Sequence, residues 1–138
     1  MREILFRGKT HGGEWEYGVP VFTGLNNELA FMKQMHSYDH QVIPETVGQF
    51  AGLTDKNGKK AFEHDVIQHH FGDEIGVIRY GEYRNPFGDD NFGGHVGFYV
   101  DWASGKNPEL LRKDLGYWMN IVEILGNIHD NPELLEEN

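Results

Sequence analysis

The stretch Gln49–Gln68, QFAGLTDKNGKKAFEHDVIQ, carries a hairpin turn, two strand halves and a second corner. Asn57-Gly58 is its sharpest signal, because a two-residue type I′ turn needs positive φ at both central positions and Asn followed by Gly supplies that at least cost. Asp55 can accept a hydrogen bond from the backbone two residues on and so fix the approach to the turn. The sequence therefore predicts an antiparallel pairing of Phe50–Leu53 with Lys59–Phe62. Glu63-His64-Asp65 then interrupts the strand pattern before Val66-Ile67 resumes it, which reads as a corner with Phe62, Val66 and Ile67 facing a common core.

Outward from that stretch, composition sets the class. The chain has 138 residues, 18 glycines, 13% aromatics and 38% hydrophobic residues, which fits a loop-rich, β-dominated globule with a real core. There is no cysteine, so a disulfide framework and thiol catalysis are excluded. The sequence lacks a signal-type apolar region and any apolar run of about 18 residues, so a soluble protein without a membrane span is expected, and the absence of cysteine is compatible with an intracellular site. The formal charge of −10 is uneven, at −2 for residues 1–69 and −8 for residues 70–138. Only Lys56, Lys59 and Lys60 cluster, which disfavours direct nucleic-acid binding.

Before the central stretch, Arg2–Arg7 reads as a strand paired with Trp15–Val21 across the Lys9–Gly13 turn, and Pro20 argues for an edge position. Asn26-Asn27 can cap a helix whose Leu29, Met32 and His36 share a face. Gln41–Pro44 is extended. After the corner, Val66–Phe71 and Ile75–Tyr80 form a hairpin around Gly72-Asp73-Glu74, and His95–Trp102 is an alternating strand with Val96, Phe98 and Val100 on one face. Asn107–Leu111 and Asn131–Leu135 share the sequence Asn-Pro-Glu-Leu-Leu, in which Asn caps and Pro takes the first helical position, so each predicts a short helix. Tyr117–Ile128 reads as a last strand, broken or bulged at Gly126. Trp102, Tyr117 and Trp118 are expected in the core.

The run Gly52–Ile67, GLTDKNGKKAFEHDVI, resembles the block of the YopX family written TGL-DKNG-x-x-I-(Y/F)-EGD-(I/V). The tail Val122–Leu135 is similar to that family's closing EVIGNIYENPELL, and the opening Met1–Arg7 to its usual start. The resemblance implies a protein of bacteriophages and prophages, with an SH3-type β-barrel in its C-terminal part and no established biochemical role. Two departures are visible: His64 stands where the family usually has Gly, and Ala51 where it usually has Thr. The expected fold is thus mainly β, with an N-terminal β-hairpin and helix over residues 1–47. An SH3-type barrel with a short C-terminal helix is expected over residues 48–138.

No catalytic motif emerges. His64, His69 and His70 lie near Glu63 and Asp65, but neighbouring residues on a strand point to opposite faces, so His69 and His70 cannot share an ion without a bulge. His36 and His40 sit four apart beside a predicted helix end. Glu63/Asp65, Asp73/Glu74 and Asp89/Asp90 are explained by turn chemistry, and Asp89-Asp90-Asn91 lacks the spacing of a calcium loop. Neither a metal site nor a cofactor is implied. The preferred reading is a non-enzymatic binding or assembly protein with an unidentified protein partner. Its rivals are an acidic inhibitor that mimics nucleic acid toward a basic host protein, and a metal-dependent hydrolase built on His64, Asp65, His69 and His95.

The partner site is expected in the segment Gly81–Gly94, which reads as a long irregular loop. Such loops are uncommon inside compact domains unless they have a function. It carries Tyr83, Phe87 and Phe92, which are costly to leave in water, beside Arg84, Asp89 and Asp90, which can orient a partner. The competing reading folds these aromatics back to cap one end of the barrel. Uncovered strand edges in a small barrel further predict a homo-oligomer.

Overall fold

The computed structural model describes residues 3–35, 37–69, 74–84, 94–102 and 113–135. The architecture is mainly β, and the chain divides into two compact units, Met1–Gly52 and Leu53–Asn138.

The first unit is an antiparallel sheet of β1 (Phe6–Lys9), β2 (Trp15–Thr23), β3 (Leu29–Lys33), β4 (His40–Val42) and β5 (Gly48–Thr54), in the order β4-β3-β2-β1-β5. The strand β5 runs on into the second unit. The expected N-terminal hairpin forms, shifted a few residues toward the C-terminus, with Phe6 opposite Gly18 and Lys9 opposite Trp15. Pro20 lies past the last residue of β2 paired with β1 and faces Met32 of β3. A residue without an N–H therefore occupies the stretch of β2 where one flank has no ladder.

The predicted helix after Asn26-Asn27 is instead β3. Asn27 takes φ 55° in the β2–β3 connection, where the Asn26 N–H donates to Glu28 Oε2 at 2.8 Å. Leu29 and Met32 do fall at helical spacing, yet the strand period decides: Ala30 and Met32 are buried together with Val42, with Phe6 and Val47 packed against them. Pairing on both sides, to β2 and β4, satisfies more backbone groups than a short helix could in this place. Gly8 is required there, since a Cβ would stand 2.9 Å from Val42 Cγ2 and 3.2 Å from Met32 Cε. His36 lies outside the described residues.

The second unit contains β6 (Lys60–Phe62), β7 (Asp65–His69), β8 (Ile75–Tyr83), β9 (His95–Trp102), α1 (Leu115–Trp118) and β10 (Val122–Asn127). Four of these strands form an antiparallel sheet in the order β10-β7-β8-β9. Its core contains Phe62, Val66, Ile67, Ile78, Val100, Trp102, Trp118, Met119 and Val122, as the corner reading requires for Phe62, Val66 and Ile67. The expected closed barrel does not form among the described strands. The β7 and β8 strands pair only over Val66–Gln68 and Ile75–Val77, too short an overlap to carry β8 around a barrel.

Tyr117 also departs from expectation. Residues 115–121 form α1 and a 3₁₀ turn rather than the start of a strand, which buries Trp118 and leaves Tyr117 53% exposed. The bulge near Gly126 is present as a register shift between Ile124 and Gly126. Gly126 is required because a Cβ there would collide with the Asn131 side-chain amide. Pro132–Leu135 is a 3₁₀ turn, whereas Asn107–Leu111 and the loop residues Gly72 and Asp73 lie outside the described residues.

The central turn follows a different geometry from the predicted one. Gly58 has φ 82°, but Asn57 is not among the residues with positive φ, so the turn is not type I′. The Asp55 N–H donates to Lys59 O at 2.9 Å and the Gly58 N–H to Asp55 O at 3.0 Å, the pattern of a type I turn closed by a left-handed glycine. The extra residue is stabilised by Asp55, whose Oδ1 accepts from the N–H groups of Asn57 and Lys59, each at 2.9 Å.

Candidate functional site

The β8–β9 hairpin is the longest pairing in the second unit, running from Gly76 opposite Trp102 to Tyr83 opposite His95. Beyond Val77, β8 has no residue paired with β7, and outward of Tyr99, which bridges to Asp114, β8 and β9 form a two-stranded ribbon among the described residues. A two-stranded ribbon cannot bury both faces. Directly opposed residues share a face, which places Ile78/Val100, Tyr80/Phe98 and Glu82/Val96 on one side. On this face burial falls steeply outward: Ile78 and Val100 are fully buried, while Tyr80 is 56% and Val96 71% exposed. The Tyr80 and Phe98 rings meet edge to face with centroids 5.0 Å apart.

The opposite face carries Arg79/Tyr99, Gly81/Gly97 and Tyr83/His95. The Tyr83 ring stacks on Tyr99 at 5.2 Å and 27°, and its centroid is 5.3 Å from that of His95. The Tyr83 hydroxyl donates to Asp114 Oδ1 at 2.7 Å. Asp114 is in place because it bridges to Tyr99, next to the Val100 N–H that donates to Lys113 O at 2.9 Å.

Tyr83 and Arg84 are the predicted partner-binding residues whose positions are described; Phe87, Asp89, Asp90 and Phe92 lie outside the described residues. Tyr83 is on β8 rather than in a loop, half-buried, and Arg84 is exposed just after it. The irregular-loop reading does not hold at this end, because β8 continues through Gly81 to Tyr83 in register with β9. Tyr80, Val96 and Phe98 were not among the predicted residues. Their signal was present as the alternation of both strands, but alternation cannot tell a core face from an exposed one.

The four residues of the hydrolase reading have separate surroundings. His69 packs edge-on against Trp118 at 5.2 Å, Asp65 is buried and accepts the Phe62 N–H at 2.8 Å, and His95 flanks Tyr83. His64 meets His129. Among the described residues no group of three or more His, Asp or Glu side chains is disposed to hold a metal ion. No helix among them is long and apolar enough to cross a membrane.

Electrostatics single out Asp55, which is 5% exposed. Burial alone would raise its carboxyl. The N–H groups of Ile124, Lys59 and Asn57, together with the Lys59 charge, outweigh that and hold it below the usual carboxylate value. Oδ2 accepts from Ile124 at 3.0 Å, so one side chain ties the central turn to β10.

The family model described as YopX protein matches residues 22–136, most of the chain. The chain belongs to the YopX family. Its fold is similar to that of the crystal structure of protein EF1440 from Enterococcus faecalis, with a TM-score of 0.56 and 22% identity over 99% of this chain and 100% of that one. At that identity the likeness concerns fold alone. No curated protein matches the chain. The central and closing YopX blocks quoted from the sequence map onto the central turn, the Glu63-His64 corner and β10 with the residues after it, segments that Asp55 and His64 join by hydrogen bonds.

Proposed function

We propose that this YopX protein is a non-enzymatic binding or assembly protein of a phage or prophage, and that it meets a protein partner through the outer half of the β8–β9 ribbon. The contact surface comprises Tyr80, Val96 and Phe98, with Tyr83 on the other face of the ribbon, and Arg84, Phe87, Asp89, Asp90 and Phe92 of the 81–94 segment stay proposed as partner-binding residues on sequence grounds. The observation that carries this reading is the exposure of Tyr80 and Val96 beside a ring pair on a two-stranded ribbon. Clustered aromatic and apolar groups of this kind are typical of contact hot spots. The net charge of −8 on residues 70–138 favours a partner whose apolar patch is rimmed by basic groups.

Capture from host lysate with the Tyr80→Ala, Val96→Ser double variant tests it. Partner recovery is expected to fall at least tenfold while the melting temperature changes little, because both side chains are exposed. Tyr83→Ala should instead lower stability by about 2 kcal/mol, since it removes a half-buried ring and its bond to Asp114. Undiminished capture by the double variant removes the ribbon from the interface. Capture of a nucleic-acid enzyme that fades with salt moves the reading to the acidic inhibitor.

A further inference from the structure

A histidine at φ 77° is held in a backbone region that favours glycine, and His64 is so placed. Its side chain is only 17% exposed. His64 Nδ1 stands 3.1 Å from His129 Nε2, with the rings near perpendicular at 78° and their centroids 5.0 Å apart. On the far side of the ring, Glu63 Oε2 lies 3.5 Å from His64 Nε2. The backbones that carry the two rings are fixed: the His64 N–H donates to Ile78 O at 2.7 Å and the Ile128 N–H to His64 O at 3.0 Å. Asn127 is 7% exposed, and its Oδ1 accepts from the N–H groups of His129 at 3.0 Å and Asp130 at 2.9 Å.

Two imidazole nitrogens bound to one zinc-class ion at about 2.0–2.1 Å each, subtending about 100°, stand about 3.1–3.2 Å apart. The His64–His129 pair already has this separation. A carboxylate behind a ligating imidazole is the usual device for fixing its tautomer, and Glu63 is placed to keep the His64 proton on Nε2 and leave the Nδ1 lone pair facing His129. We infer that His64 and His129 form a two-imidazole site for a divalent transition-metal ion, with Glu63 orienting His64. With the His64 proton on Nε2, the bond between the two rings in the metal-free protein runs from His129 Nε2–H to His64 Nδ1. When the ion binds, that proton passes through solvent to His129 Nδ1, so that both facing nitrogens offer a lone pair. Imidazole donors select zinc, nickel or copper over magnesium or calcium. Since the described residues offer no third His, Asp or Glu, water completes the coordination.

Equilibrium dialysis of the chelator-stripped full chain against zinc tests the site. One equivalent is expected, with affinity reduced at least tenfold by His129→Gln and by His64→Gly, and about tenfold by Glu63→Gln. His11→Gln, in an exposed turn, should leave it unchanged. Zinc should also shift the ¹⁵N resonances of His64 Nδ1 and His129 Nε2. His64→Gly relieves the backbone, so loss of zinc together with an undiminished melting temperature supports the site and cannot be ascribed to unfolding. Zinc bound equally well by His64→Gly and His129→Gln, or no binding up to millimolar zinc, overturns it.

Discussion

The chain turns twice within a few residues, once at Lys56-Asn57-Gly58 and once at Glu63-His64, and each turn places one residue at nearly the same positive φ, 82° for Gly58 and 77° for His64. At the first, the residue is glycine, and nothing lies within 4 Å of where its Cβ would be. At the second, it is a histidine whose ring is partnered by His129 and Glu63. Conformational freedom alone makes the first turn, with Asp55 supplying the acceptors. The second is a conformation disfavoured for L-residues by about 1 kcal/mol, sustained by the surrounding hydrogen bonds. Two similar backbones are thus reached by different physics, and substitutions at them should respond in opposite directions.

The largest effect is expected at the acceptor that organises the first turn. Asp55→Ala leaves the N–H groups of Asn57, Lys59 and Ile124 without their carboxylate, one of them on β10, and should destabilise the fold by about 3 kcal/mol. The pH dependence follows with a definite sign. The Asp55 carboxyl is depressed in the folded state, so its contribution is fully present above the unfolded value of about 3.9 and is lost as pH falls through the lower folded value. Chemical denaturation from pH 6 downward should show an acid loss of stability that is weaker in Asp55→Asn. An acid limb of equal depth in the variant would assign it to other carboxylates.

Gly58→Val comes next, at about 1–3 kcal/mol, because a β-branched residue is forced to positive φ. Space is not the issue, so Gly58→Ala and Gly58→Val should both destabilise and Gly58→Asn much less. A variant series that instead tracked side-chain volume would replace the φ argument with a steric one. The smallest effect has the opposite sign: metal-free His64→Gly should be more stable than the parent by up to about 1 kcal/mol, less whatever the His129 contact contributes. A marked drop in melting temperature there would mean that the histidine pair contributes more than the backbone strain takes away.

The same contrast bears on what could be read from the residues. Asp55, Gly58 and the Glu63-His64-Asp65 corner were legible because turn chemistry is local, set by side-chain acceptors and φ preferences within four or five residues. Even there the turn type was not, since Asn-Gly suits both a two-residue and a three-residue loop and the register of β5 against β6 selects between them. The aromatic ribbon was legible only in part. Tyr83 was singled out for its large ring, but its stack on Tyr99 and its bond to Asp114 join residues 16 and 31 positions away.

What the sequence by itself determined about this protein is its mainly β character, its membership of the YopX family, the two corners and the bulge at Gly126. Each rests on short-range rules or on a motif carried in consecutive residues. Only the tertiary structure decided that Leu29–Lys33 is a strand, because its neighbours β2 and β4 supply partners on both sides. It likewise decided that β8 outruns β7, which turns one alternating pattern into core at Ile78 and exposed surface at Tyr80. It also brought His64 within 3.1 Å of His129 from 65 residues away. Burial and long-range proximity depend on which strands lie side by side and for how long, and no periodicity within one strand encodes the length of its neighbour.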